Sequence, residues 1–289
     1  MGVVVTVMNM KGGVGKTTVA LHLAGITARH VTQPTGAGPR VLVIDYDPQF
    51  NLSQAFLPAK TYFSLEKARK TTIAILLDDD TDINPFQLQV PGKHTPPNVS
   101  SLITNLYRRE RDGRCLDLIP STLDLMYVAL GQSTRSTAPI EERFAKFIAE
   151  CKTMYDVVFI DCHPAGSLFT KTSLRNSDHV LIPVAPQPYA VRGIGLMMEF
   201  ISMKKQGLAG PTPHILFNAV PRNGTAVEET QIRANPRFGQ FCLTHTLKWY
   251  QAFADPQDGA GFVWSSSKPY STQAFLNALA VTREFIGRI

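Results

Sequence analysis

The chain has 289 residues, of which 44% are hydrophobic and 18% charged, with a net charge of +6. This balance excludes a disordered chain, and no apolar run approaches the ~18 residues a membrane span needs. A mildly basic chain permits contact with nucleic acid or an anionic surface without requiring either.

Val3 to Met8 is a short β-branched apolar run, as a buried parallel strand requires. A glycine-rich loop follows, and Val19, Leu23 and Ile26 then space a helix from Thr17 to about Arg29. Pro34, Gly36, Gly38 and Pro39 mark a loop before a second buried strand, Val41 to Ile44, which ends on Asp45. From about 78 to 113 the pattern changes: an acidic run at Asp78–Asp80, four prolines and a charged patch from Arg108 to Arg114 read as a surface insertion. Strands resume at Leu116–Ile119, at Val157–Ile160 ending on Asp161, at Val180–Val184 and at His214–Phe217 ending on Asn218. Helices are expected at Ile140–Cys151, Tyr189–Lys205 and Thr272–Ile286. Such alternation predicts an α/β fold with a mostly parallel twisted sheet and helices on both faces, in a single domain over 1–289. Ligands then bind along the edge formed by the loops that follow the strands.

The loop after the first strand carries the chemistry. In Lys11-Gly12-Gly13-Val14-Gly15-Lys16-Thr17-Thr18 the glycines let backbone N–H groups turn inward to cradle phosphate oxygens. Lys16 supplies charge to the β and γ phosphates, Thr17 offers Mg²⁺ a hydroxyl, and the helix starting there presents its positive end. The ordinary pattern would put a first glycine at position 10, where this chain has Met10, and adds a second lysine at Lys11. Asp45 and Asp161 end strands beside the loop, where a carboxylate can hold the waters of Mg²⁺ or serve as a cap or ion-pair partner. The four cysteines, Cys115, Cys151, Cys162 and Cys242, have neither CxxC nor zinc-site spacing. With no basic leader or cleavage site at its start, the chain is expected to be cytoplasmic with reduced core cysteines.

The lysine-bracketed loop resembles the deviant Walker A loop of the ParA/MinD family of P-loop ATPases. Asp45-Tyr46-Asp47-Pro48-Gln49-Phe50-Asn51-Leu52-Ser53 is similar to that family's switch I, in its ParA (Soj) branch, and Tyr155-Asp156 through Ile160-Asp161-Cys162-His163-Pro164 is similar to its Tyr-Asp-…-Ile-Asp-Cys-Pro-Pro stretch. The resemblance implies a Mg²⁺-dependent ATPase. It also implies that Lys11 reaches a partner's phosphates in an ATP-sandwich homodimer, Lys16 holds phosphates in its own subunit, and Thr18 lies near the α phosphate. Asp47 would orient the attacking water, and Asn218 would read the adenine edge, although a turn-initiating Asn explains that position as well. The loop from Phe253 to Asp258 resembles the other wall of the base pocket. Two departures stand out: Phe50 replaces the usual glycine, which implies a stiffer segment, and His163 with Ala165-Gly166 alters the stretch after Walker B.

The resemblance further implies a partition cycle. The ATP-bound dimer would bind nonspecific DNA, and a ParB-like or other partner would stimulate hydrolysis and release a plasmid, chromosome region or other cargo. Residues 201–289 carry nine Lys/Arg against five Asp/Glu. Among them Lys204, Lys205 and Arg222 are candidate DNA contacts, although basic residues also simply solvate a surface or complement a helix end. DNA contact would add nucleoid association to the cytoplasmic location. Rival readings are a MinD-like regulator at a membrane and an assembly ATPase that never touches DNA. The final helix has an apolar face but only Arg283 and Arg288 as nearby bases, which suits packing better than membrane anchoring.

Overall fold

A computed structural model describes residues 1–78, 90–130, 136–163, 168–203, 210–254 and 261–289. In chain order the elements are β1 (Val3–Val7), α1 (Lys16–His30), β2 (Arg40–Tyr46), α2 (Asn51–Phe56), α3 (Ala59–Lys67), α4 (Ile73–Leu76), α5 (Val99–Leu102), β3 (Thr104–Arg109) and β4 (Arg114–Ile119). They continue with α6 (Leu125–Leu130), α7 (Ala138–Met154), β5 (Val157–Cys162), α8 (Leu168–Arg175), β6 (His179–Val184), α9 (Ala190–Met203), β7 (Thr212–Phe217), α10 (Val227–Ala234) and α11 (Ser271–Ile286).

The seven strands form one sheet in the order β3-β4-β2-β5-β1-β6-β7. All neighbours are parallel except β3, which runs antiparallel to β4. The central strands are buried on both faces, so their sequences read as continuous apolar runs. Alternate residues feed two cores. Val4, Leu42, Ile44 and Val158 pack with α7 through Phe144 and Phe147 and with α9 through Ile194 and Met197. Val5, Val7, Val41 and Val43 pack with α1 through Leu23 and Ile26 and with α11 through Ala278 and Phe285.

The described part of the segment expected to be a surface insertion belongs to this architecture. Val99 and Leu102 are buried in the first core, and β3 closes one edge of the sheet. Edge position accounts for the polar sequence Thr-Asn-Leu-Tyr-Arg-Arg: an edge strand is only partly covered, and its charges discourage pairing with another chain. Residues 79–89 of that segment lie outside the described residues.

The apolar face expected on α11 at Phe275, Leu276, Leu279, Ala280, Phe285 and Ile286 is turned from the one the fold uses: of these only Phe285 is buried and Leu276 is exposed. Ala274, Ala278, Val281 and Phe285 are buried, and the helix packs along α1. Among the described residues no helix is long and apolar enough to cross a membrane. All four cysteines are free and buried.

Candidate functional site

The loop between β1 and α1 lies at the carboxyl edge of the sheet. Gly13 and Gly15 have φ of 73° and 81°, a left-handed backbone that residues with a side chain seldom adopt. The first helical bond, Val19 N–H to the Gly15 carbonyl at 2.9 Å, starts α1 directly from the loop. Gly12 and Gly13 are exposed and open around their α-carbons, Lys16 is buried, and Thr17 and Thr18 are half-buried. Free N–H groups at a helix start, a lysine and two hydroxyls thus lie within one short stretch at the carboxyl edge of the sheet, which is the composition a polyphosphate needs.

Two carboxylates stand beside it. Asp45 and Asp161 pair in register at the ends of the adjacent parallel strands β2 and β5. Both are almost wholly buried. Burial pushes the Asp45 carboxyl up to about 7, against hydrogen bonds from Ser53 and Asp47 that favour its charged form. Burial, and next the neighbouring Asp45, hold Asp161 well above the usual carboxylate range despite a hydrogen bond with the Thr17 hydroxyl and the nearby Lys16 charge. Asp161 Oδ2 is buried with no hydrogen-bond partner. A buried carboxylate pair with an unpartnered oxygen beside a threonine hydroxyl fits a hard divalent cation that keeps part of its water shell.

Asp47 follows β2 in a tight turn. Its Oδ1 accepts the Gln49 N–H at 2.9 Å, and its carbonyl accepts the Phe50 N–H at 2.9 Å and the Ser121 hydroxyl at 2.6 Å. Ser53 donates to Asp45 Oδ2 through its N–H at 2.8 Å and its hydroxyl at 2.6 Å, and its Oγ accepts the Ser121 N–H at 2.8 Å. Sequence reasoning assigned no role to Ser53 or Ser121, which fix both aspartates. The available signal was the chain itself, in which each serine follows a strand that ends beside the loop.

Phe50 adopts φ 44°, the left-handed conformation suited to the glycine it replaces. Its ring stacks on Tyr62 with centroids 5.0 Å apart and planes 7° from parallel. Lys11 is exposed and turns its ammonium to Gln187 Oε1 at 2.8 Å, while its N–H bonds Asn9 Oδ1 at 3.0 Å. Asn218 is drawn onto the loop itself: its Nδ2 donates to the Val14 carbonyl at 2.8 Å. His163 is half-buried with its Nδ1 unpartnered, and Pro164, Ala165 and Gly166 lie outside the described residues.

The structure therefore gathers Gly12–Thr18, Asp45, Asp47, Asp161 and Asn218 at one edge, with Lys11 on its rim. Arg222 is exposed on the loop after β7, its guanidinium 4.8 Å from the centre of the Tyr270 ring. Lys204, Lys205 and the end of the Phe253–Asp258 loop lie outside the described residues. Phe253 itself is buried, with the His22 ring 5.0 Å from its own.

A family model described as an AAA domain matches residues 2–209. The sporulation initiation inhibitor protein Soj of Bacillus subtilis is 29% identical over 209 residues, which are 72% of this chain and 68% of Soj. A candidate plasmid partition protein of Borrelia burgdorferi, solved with AMPPNP, superposes over 100% of both chains with a TM-score of 0.69 at 21% identity. The pNOB8 ParA structure bound to nonspecific DNA covers 100% of this chain and 98% of its own, with a TM-score of 0.61 at 20% identity. At these identities the two structures speak for the fold, which they share with this sheet and its helices.

Proposed function

Because the chain belongs to the AAA domain family matched over residues 2–209, as a member of its ParA/MinD-type partition ATPases, we propose that it is a Mg²⁺-dependent ATPase whose ATP-bound homodimer binds nonspecific DNA. Hydrolysis, stimulated by a ParB-like or other partner, then releases the DNA and moves a plasmid, chromosome region or other cargo. The observation that carries the reading is the phosphate loop set against the in-register pair Asp45 and Asp161, with one buried carboxylate oxygen left for a cation.

Hydrolysis asks the protein for positioning and charge neutralisation more than for covalent chemistry. In this reading the N–H groups of Gly12 to Lys16 and the start of α1 hold the phosphates. Lys16 neutralises charge within the subunit, and Thr18 contacts the α phosphate. Thr17, Asp45 and Asp161 would hold Mg²⁺ and its waters, and the ion would supply positive charge to the phosphates when bound. Asp47 takes the attacking water. Lys11, exposed with its ammonium on Gln187, leaves that partner for the phosphates of a second copy in this reading. Asn218 keeps its Nδ2 on Val14, which leaves its Oδ1 to accept from an adenine amino group.

The DNA contact is supported by the surface around Arg222. Residues 218–225, 246–250 and 266–272 contain Arg222, Lys248 and Lys268 and no acid. The membrane alternative loses support because α11 spends Ala274, Ala278, Val281 and Phe285 on packing along α1. Retention on nonspecific duplex DNA tests the whole cycle, with ATP, ADP and no nucleotide, at low and moderate salt. Binding only with ATP, weakened by salt and lost in Lys16→Ala, is the expected result. ATP binding and dimerisation with no DNA retention under any nucleotide would remove DNA from the reading.

A further inference from the structure

Three segments meet beside Arg222, and they present more than positive charge. The strand-like stretch at 247–249 runs along the end of β7: Val220 N–H donates to the Leu247 carbonyl at 3.2 Å, and Trp249 N–H to the Val220 carbonyl at 2.8 Å. Asn277 of α11 pins the same stretch, accepting the Lys248 N–H at 2.8 Å and donating to the Thr246 carbonyl at 2.8 Å. The Lys248 ammonium bonds the Arg222 carbonyl at 2.8 Å, and the Arg222 guanidinium lies over Tyr270. Tyr270, just before α11, has a left-handed φ of 64°. That conformation disfavours a bulky residue, and here it stands the ring against Arg222.

On this rigid frame two large aromatic side chains face solvent, Trp249 at 59% and Tyr270 at 57% exposure. Neither fills a core, and the two stand together with Lys248 and Arg222 rather than singly on the surface. Interleaved aromatic rings and cations with no acid are the composition that grips a single strand: rings stack on bases, cations track phosphates. A closed duplex offers this surface phosphates, sugars and groove edges but no free base face, because its bases are already stacked on each other.

We infer that the Arg222–Lys248–Trp249–Tyr270 surface binds single-stranded nucleic acid, with an unpaired base stacked on Trp249 and Arg222 and Lys248 on the flanking phosphates. The inference rests on the proposed DNA contact and gives it a second chemistry, directed at unpaired regions. Charge selects the occupant: the three segments that meet here, 218–225, 246–250 and 266–272, carry basic residues and no acid, which suits a polyanion and disfavours a basic protein.

The protein's second tryptophan serves as an internal reference. Trp264 is half-buried, stacks on Phe262 with centroids 4.3 Å apart, and has its Nε1 buried. The test titrates full-length protein with an oligothymidine of about 20 nucleotides and with a duplex of equal length, reading tryptophan fluorescence and affinity together. The expected result is quenching by the single strand and much less by the duplex. Trp249→Ala should abolish that quenching and weaken single-strand binding about tenfold, Trp249→Phe should retain most of the affinity, and duplex affinity and ATP binding should be unchanged in both. Arg222→Ala should instead weaken both forms and lower the salt slope by about one. Equal quenching by the two forms, no quenching by either, or single-strand affinity unaltered in Trp249→Ala overturns the inference. Intact ATP-dependent duplex retention in the same run would show that only this inference had failed, whereas loss of all nucleic-acid binding in the wild type would count against the DNA reading itself.

Discussion

Asn218 and Gly15 compete for one place at the mouth of the phosphate loop. The Asn218 Nδ2 that donates to the Val14 carbonyl would lie 2.3 Å from a Cβ on Gly15, well inside contact distance. The end of β7 thus clamps the loop only because position 15 has no side chain. Gly15→Ala should abolish ATP binding, since it meets both this clash and a φ of 81°. Asn218→Ala removes the clamp and should cost about 1 kcal/mol of stability, with weaker ATP binding. The double variant relieves the clash but not the backbone strain, so it should recover part of the stability and none of the binding. Calorimetric titration with ATP and thermal unfolding of the three variants decide this; wild-type ATP affinity in Asn218→Ala would contradict the clamp.

The Phe50–Tyr62 stack holds a residue in a backbone conformation that favours glycine. A left-handed residue other than glycine costs about 1–2 kcal/mol, and here a near-parallel ring stack offsets it. The usual order of Ala over Gly should therefore invert at this position. Phe50→Gly loses the stack but gains the conformation, and Phe50→Ala loses the stack and keeps the strain. Phe50→Gly is expected to be more stable than Phe50→Ala by about 1 kcal/mol in chemical denaturation. Equal stability, or Ala above Gly, would show that the backbone at this turn relaxes.

What was legible in the sequence follows from what is local. Gly12 to Thr18 are contiguous, so the residues that cradle phosphate and the strand and helix that flank them announce themselves together. Central strands such as Val41–Ile44 and Val157–Ile160 are buried on both faces and read as apolar runs. β3 has no such signal, because an edge strand need not be apolar and its partner Leu116 is known only once the sheet is built. The same limit hid Ser121. Its bonds to Asp47 and Ser53 join residues about seventy positions apart, and nothing in either segment alone predicts their meeting. Phe50 was visible as a departure from the family pattern, but that it keeps the glycine's backbone, held by Tyr62, is a tertiary fact.

The paired carboxylates trade stability for a cation site. Two buried acids in register repel each other, and Asp161 Oδ2 has no partner to offset its burial. Asp161→Asn should therefore leave the nucleotide-free protein as stable as wild type or more so. Wild type should gain Tm on adding ATP with Mg²⁺, and the variant should lose that gain, because the site that links the two is gone. Chelating Mg²⁺ from wild type should reproduce the variant's behaviour. Thermal unfolding with ATP, with and without Mg²⁺, tests this. A destabilised nucleotide-free variant that still gains Tm with Mg²⁺ would reject the assignment of Asp161 to the metal.

His22 sets an acid limit on the fold that is separable from the nucleotide site. It is wholly buried in α1, its ring 5.0 Å from that of Phe253, and burial lowers its pKa from 6.5 to about 3. The unfolded chain takes up a proton near 6.5 that the folded chain refuses until about 3. Stability from this residue is thus complete above 6.5 and declines as pH falls through that window, by up to about 1.4 kcal/mol per pH unit. His214, lowered to about 4 by burial and next by His179 and Arg288, adds a decline of the same sign, but it is present in both proteins being compared. His22→Leu should be close to wild type near neutral pH and should lose stability more slowly than wild type as pH falls from 6.5 to about 4. Denaturant midpoints across that range give the comparison directly. Parallel curves for the two proteins would mean that His22 is protonated inside the fold, and that water or a polar neighbour reaches it beneath Phe253.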